Sequence, residues 1–303
     1  MVNFWLANYK GELAALCTAL LWAAASVVYG GLGKKIPPLE LNISKGAVAI
    51  ALLLLTLILR GDISQTTLAQ LNPNTTTLLL LSGIVGIGFG DTAFFTAINN
   101  LGPRRTLLLQ TLAPPLAALL AMIFLRETLP QTTWLGIIIT ISGIAWVISD
   151  RAGATTTTET HLLSGITWGA LAAAAQATGA VLSRAALATT NIDPLWSTLL
   201  RLLAGVFMLW LWAQGQKNPT SWNQFSPRLL LIVAVTAFFS TYLGIYCQQT
   251  SLKWAPAGIA QTLSATSPLF VIPIVIWMGE RVSLRALLGA IVSIAGVAVL
   301  FLR

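Results

Sequence analysis

One carboxylate dominates any search of this chain for chemistry. Asp91 closes the string Gly88-Phe89-Gly90-Asp91 inside a stretch that is otherwise apolar or small for many residues on either side. An ionisable group in such surroundings costs several kcal/mol unless a partner or a wet cavity receives it. Asp91 is therefore the first candidate for a site, as a proton acceptor or as an anchor for a substrate amine. Aromatic, hydroxyl and amide groups at comparable depth are Trp22, Ser26, Phe95, Gln110, Gln176, Tyr242, Tyr246 and Gln261. Together they could line a cavity for an amphipathic solute.

The Gly-x-Gly-Asp string also matches intramembrane aspartic proteases, which need two carboxylates sharing a proton. Asp62, Asp150 and Asp193 all fall in expected loops, and no Tyr-Asp pair precedes Asp91. The protease reading is rejected on that count. His161, the single histidine, lies in a linker, and no Walker loop, HExxH or GxSxG string occurs. Cys17 and Cys247 are far apart with no CxxC spacing, so they form neither a metal knuckle nor a disulfide framework. No catalytic residue, metal site or cofactor is expected, and the chain is not read as an enzyme.

The elements that must hold these residues are legible from composition. The chain has 303 residues, 56% hydrophobic and 9% charged, whereas soluble domains are about a quarter charged. A spanning helix needs about 20 apolar residues at a rise of about 1.5 Å each. Ten stretches qualify, at 11 to 30, 38 to 59, 77 to 99, 103 to 125, 131 to 149, 162 to 188, 194 to 214, 227 to 250, 256 to 277 and 283 to 302. The fold class predicted is all-α, a polytopic membrane protein of ten transmembrane helices. Net charge is +8, but the cations are scattered between apolar runs and make no face for nucleic acid.

The chain reads as duplicated. A shift of 153 residues pairs Pro103 with Pro256, Pro115 with Pro268, Glu127 with Glu280, Gly136 with Gly289 and Gly143 with Gly296; a shift of 156 pairs Pro38 with Pro194 and Lys45 with Arg201. The units predicted are a five-helix repeat at 1–150, a linker at 151–161 and a second repeat at 162–303. An odd number of spans per copy inverts the second copy, giving the 5+5 inverted-topology repeat characteristic of secondary transporters. Gly83, Gly86, Gly88 and Gly90 in the third span, and Pro114, Pro115, Pro268 and Pro273 in the fourth and ninth, predict kinked or locally unwound helices. Gly136, Thr140 and Gly143, like Gly289, Ser293 and Gly296, form small-residue stripes suited to helix contacts. Lys45 and Arg201 lie close enough to a span end to snorkel toward headgroups, a role set slightly ahead of substrate binding.

Leu125-Arg126-Glu127-Thr128-Leu129 followed by Leu135-Gly136 and Ser142-Gly143-Ile144, and the parallel Gly279-Glu280-Arg281-Val282 followed by Leu288-Gly289 and Ala295-Gly296-Val297, resemble the EamA-type proteins of the drug/metabolite transporter superfamily. The resemblance covers nearly the whole chain. It implies a ten-helix exporter or exchanger of metabolites such as amino acids or drug-like amphipathic solutes, working by alternating access at a site between the repeats. A passive channel is the alternative left open beside the protease. The expected partners are a small-molecule substrate, the lipid bilayer and a second copy of the chain as a homodimer. The expected location is the inner or plasma membrane. Cation counts of six on the terminal side, counting Arg184 and Lys253, against nine opposite favour external termini, while the resemblance implies cytoplasmic ones, which is the orientation adopted. Trp5, Trp134, Trp196, Trp210, Trp212, Trp222 and Trp254 are read as interface anchors rather than site residues.

Overall fold

The computed structural model describes residues 9–32, 36–62, 72–101, 103–149, 159–215, 226–277 and 283–301. Among them the backbone is helical and runs as ten spans: α1 (Lys10–Leu32), α2 (Pro38–Leu59), α3 (Pro73–Leu101), α4 (Pro103–Gln110 and Ala113–Phe124), α5 (Gln131–Ser149), α6 (Glu159–Ala188), α7 (Pro194–Gln214), α8 (Pro227–Trp254), α9 (Ala257–Ser264 and Ser267–Trp277) and α10 (Leu284–Phe301). The chain is a polytopic all-α membrane protein. Among the described residues, six helices are long and apolar enough on length and composition to cross a bilayer.

The starts of the helices follow from local chemistry. Proline opens α2, α3, α7 and α8, where its fixed φ suits the first turn and its missing N–H costs nothing. Before three of these prolines a polar side chain accepts a free first-turn N–H: Asn72 from Thr75 at 2.8 Å, Asp193 from Leu195 at 2.8 Å and Ser226 from Leu229 at 3.3 Å. α6 begins at Glu159, within the expected linker 151–161. Most of that linker, with His161's side chain, Trp5 and Trp222, lies outside the described residues.

The interruptions fall where glycine and proline place them. α3 widens into a π-helical stretch over Ile84–Gly90. α4 breaks at Thr111–Leu112, just before Pro114, and α9 at Ala265–Thr266, just before Pro268. The sequence held no comparable sign for the π-helical stretch Phe238–Leu243 in α8, which contains neither residue. Its widened turn is instead supported from α1: Trp22 Nε1 donates to the Ser240 carbonyl at 3.0 Å.

The packing pairs each of several helices with the one five places on: α2 with α7, α4 with α9, and α5 with α10 in the most extensive contact of all. α3 lies on α6 as α8 lies on α1. The predicted small-residue stripes face each other across α5 and α10, where Ser293 Oγ donates to the Thr140 carbonyl at 3.1 Å. A Cβ on Gly143 would stand 2.5 Å from the Ser293 nitrogen, and one on Gly296 2.5 Å from the Thr140 nitrogen, so the two backbones touch because those positions are glycine. Alanine dominates the interior, while Leu59, Phe124, Leu163, Trp277 and Leu284 are strongly exposed. An apolar outside over a small-residue inside is the reverse of a soluble protein and suits lipid.

Candidate functional site

Asp91 begins the α-helical segment that follows the π-stretch of α3. Its partner is a cation: Lys45 Nζ donates to Asp91 Oδ2 at 3.0 Å. Lys45 therefore does not snorkel to the headgroups as its position near a span end suggests. Its side chain is 15% exposed, and its ammonium lies 5.5 Å from the Phe95 ring and 5.9 Å from the Tyr29 ring, within reach of cation–π attraction. The carboxylate at this depth is thus neutralised by an ion pair, and two rings from α1 and α3 shelter the ammonium.

Arg201 on α7, the counterpart of Lys45 in the second half, departs further from expectation. It is 3% exposed. Three glycines let it in. A Cβ on Gly83 would collide with the Arg201 backbone, one on Gly205 would come within 3.0 Å of the Gly83 carbonyl, and one on Gly86 would lie 3.1 Å from Arg201 Nη2. Gly86 is near the middle of Pro73–Leu101, so the guanidinium head sits at mid-span. Arg201 Nε and Nη1 are buried without a hydrogen-bond partner among the described residues, as are both amide atoms of Asn42, one turn before Lys45 on α2.

Around this core the structure gathers some of the predicted residues and leaves others apart. Trp22 donates to the Ser240 carbonyl, and the Ser240 hydroxyl is 2.7 Å from that of Tyr29, so Trp22 is linked through Ser240 to one of the two rings beside Lys45; Phe95 is the other. Gln176 stands beside Gly90, its backbone nitrogen 3.9 Å from where a Cβ there would be. Tyr242 ties α8 to α2 through Thr56 at 2.8 Å and stacks on Phe238. Tyr242 and Tyr246 both pack on a core cluster that includes Leu53 and Leu57, two turns and more along α2 from Lys45. Gln110 ends the first piece of α4, and Gln261 is buried in the first piece of α9 with its Nε2 unpartnered. The side chain of Ser26 lies outside the described residues. Sequence reasoning missed Tyr29, Asn42 and Ser240, and placed Lys45 and Arg201 at the interface. The signal for the last two was present as one cation at the same place in each half. Trp196 is likewise no interface anchor: it is 8% exposed, in the core cluster.

A second polar assembly closes the terminal side of the bundle. Arg184 Nε donates to Glu127 Oε1 at 2.6 Å, and its Nη1 donates to the carbonyls of Leu252 at 3.0 Å and Lys253 at 2.7 Å. Glu127 Oε2 accepts from the Ala257 nitrogen at 3.1 Å, and Lys253 Nζ donates to the Ile192 carbonyl at 2.6 Å. Arg184 and Lys253, counted from sequence as loop cations, are thus tied into helix ends. The knot joins the connection between α4 and α5 to α6, α8 and α9.

Helices that cross a bilayer, broken or widened at the level of a buried charged cluster, define a polytopic membrane protein built like a solute carrier. The chain belongs to the EamA-like transporter family, whose model matches residues 9–149 and again 163–302. It is 26% identical over 259 residues, 82% of this chain and 80% of the other, to the uncharacterized transporter YyaM of Bacillus subtilis (strain 168). A solved crystal structure shares its fold with a TM-score of 0.80 at 18% identity, covering 96% of each chain. Family and relative point to transport rather than catalysis, and the site agrees: Asp91 faces an ammonium, not the second carboxylate that a shared-proton dyad requires.

Proposed function

We propose that this transporter carries a small metabolite, of the size of an amino acid or an amphipathic aromatic solute, by alternating access between two inverted five-helix halves. The observation that carries the proposal is the origin of the mid-span cluster: Lys45 and Asp91 come from the first half, and Arg201, packed on Gly83 and Gly86 of the same α3, from the second. A rocking motion that separates α7 from α2 and α3 alters the cluster's charge balance, and with it the affinity for a solute held there. Supporting the duplication are the pairings of α2 with α7, α4 with α9 and α5 with α10, which a pseudo-two-fold axis in the membrane plane would generate. The Arg184–Glu127 knot acts as the latch on the terminal side and must open when that side does. The protein works in the cell membrane as an exporter or exchanger with cytoplasmic termini.

The test is counterflow. Vesicles reconstituted with the protein and loaded with a mixed pool of amino acids and aromatic solutes are assayed for efflux by mass spectrometry. A carrier gives saturable efflux that external solute accelerates. Flux linear in concentration and indifferent to the opposite side would mean a channel and would sink the reading. If protons drive the cycle, Asp91→Asn abolishes its pH dependence while the protein remains inserted and folded.

A further inference from the structure

We infer that Arg201 is the anchor for the anionic group of the solute and that the site is built for a monoanion, a compound carrying one carboxylate on an apolar or aromatic body. The inference deepens the transport reading and rests on it. It starts from the count of charges at mid-span. Lys45 and Arg201 supply two cations against α3, Lys45 paired with Asp91 at 3.0 Å and Arg201 Nη2 3.1 Å from where a Cβ on Gly86 would be. Asp91 is committed to Lys45 at 3.0 Å, which leaves the cluster with one uncompensated positive charge, and that charge is on Arg201.

A buried guanidinium with nothing to bond is costly. Arg201 is 3% exposed, and its Nε and Nη1 have no acceptor among the described residues. Asn42, one turn from Lys45, has an unpartnered donor and acceptor of its own. The face of α3 opposite Arg201 is glycine at Gly83 and Gly86, which offers the guanidinium no side-chain acceptor. A carboxylate matches the need: it accepts from a guanidinium by charge-assisted bonds, and its single charge brings the cluster to neutrality. A cationic solute would raise the local charge to two, and a dianion would overshoot to minus one. Phe95 and Tyr29 place their rings beside the pair, so the body attached to the carboxylate is apolar or aromatic.

The experiment uses the full-length protein in lipid nanodiscs and an isosteric series of probes: phenylacetate, phenylacetamide, phenethylamine and zwitterionic phenylalanine, extended by acetate, benzoate and indole-3-acetate. Thermal stabilisation gives relative affinities. The expected order places the aromatic acids first, with phenylacetate ahead of its amide by about 10- to 100-fold, the range a charge-assisted hydrogen bond confers. Arg201→Gln erases that preference, and Arg201→Lys retains part of it. Amide or amine equal to the acid, no acid in the series stabilising the protein, or unchanged acid preference in Arg201→Gln would each overturn the assignment. The wild-type comparison of acid with amide decides even if both variants fail to fold. Counterflow of a neutral or cationic solute would leave transport standing while this inference fails, whereas absence of counterflow for every solute removes the transport reading itself.

Discussion

Removing the charges of the Lys45–Asp91 pair one at a time should have unequal effects, and the inequality can be worked from the geometry. At 3.0 Å a unit pair attracts by about 5 kcal/mol at an effective dielectric of about 20. Much of that offsets desolvation, so the net cost is read from what each deletion leaves behind. Breaking a fully buried pair costs about 3–5 kcal/mol. Here Asp91 is 32% exposed and Lys45 15%, which brings the scale down to roughly 2–3 kcal/mol by the weakening of such pairs with exposure. Asp91→Asn leaves Lys45 and Arg201 as two unbalanced cations and takes the full loss. Lys45→Met leaves Asp91 with the second cation packed on α3, Arg201, and should cost about half as much. The double variant retains one net positive charge, as the wild type does, and should be more stable than Asp91→Asn alone. Reversible unfolding in mixed micelles measures all four proteins. Equal losses for the two single variants, or a double variant whose loss is the sum of theirs, would refute the triad of charges and leave only an isolated surface-like pair.

Two further substitutions probe the parts that frame the site. Glu127→Gln keeps an acceptor for the Ala257 N–H but removes the charge facing Arg184 at 2.6 Å; the expected cost is about 1–2 kcal/mol, with faster hydrogen exchange in residues 252–258, and unchanged exchange there would deny the latch. Gly143→Ala would set a methyl 2.5 Å from the Ser293 nitrogen, forcing α5 and α10 apart at about 1–3 kcal/mol, whereas Gly215→Ala, whose nearest neighbour is 3.5 Å away, should be neutral in the same melting assay.

How much of this was legible in sequence differs between fold and site. Spans were legible because lipid demands long apolar helices and leaves few alternatives. The breaks in α4 and α9 were legible because proline removes a donor, and the α5–α10 contact because glycine and hydroxyl residues recur at helical spacing. The α8 π-stretch was not, since Phe238 to Leu243 carry no backbone exception; what supports the widened turn is a hydrogen bond from Trp22, more than 200 residues earlier in the chain. Asp91 was legible as a costly residue but not as a paired one. Which cation reaches it depends on how α2 is rotated against α3, and no local pattern encodes that rotation.

The error over Lys45 and Arg201 is instructive about where charge belongs in such a bundle. Both lie seven residues into a helix, a position from which a long side chain on an isolated helix reaches water. Inside a bundle the same reach serves the opposite direction. α3 offers glycine at Gly83, Gly86 and Gly88, and the room those residues leave is filled by α7 and its arginine. The glycines that predict a kinked or locally unwound helix are therefore also the means by which a second-half cation packs on the helix that carries Asp91. The two halves carry a cation at the same place; an asymmetric partner, Asp91 on α3, pairs with one of them, and Nε and Nη1 of the other have no acceptor among the described residues.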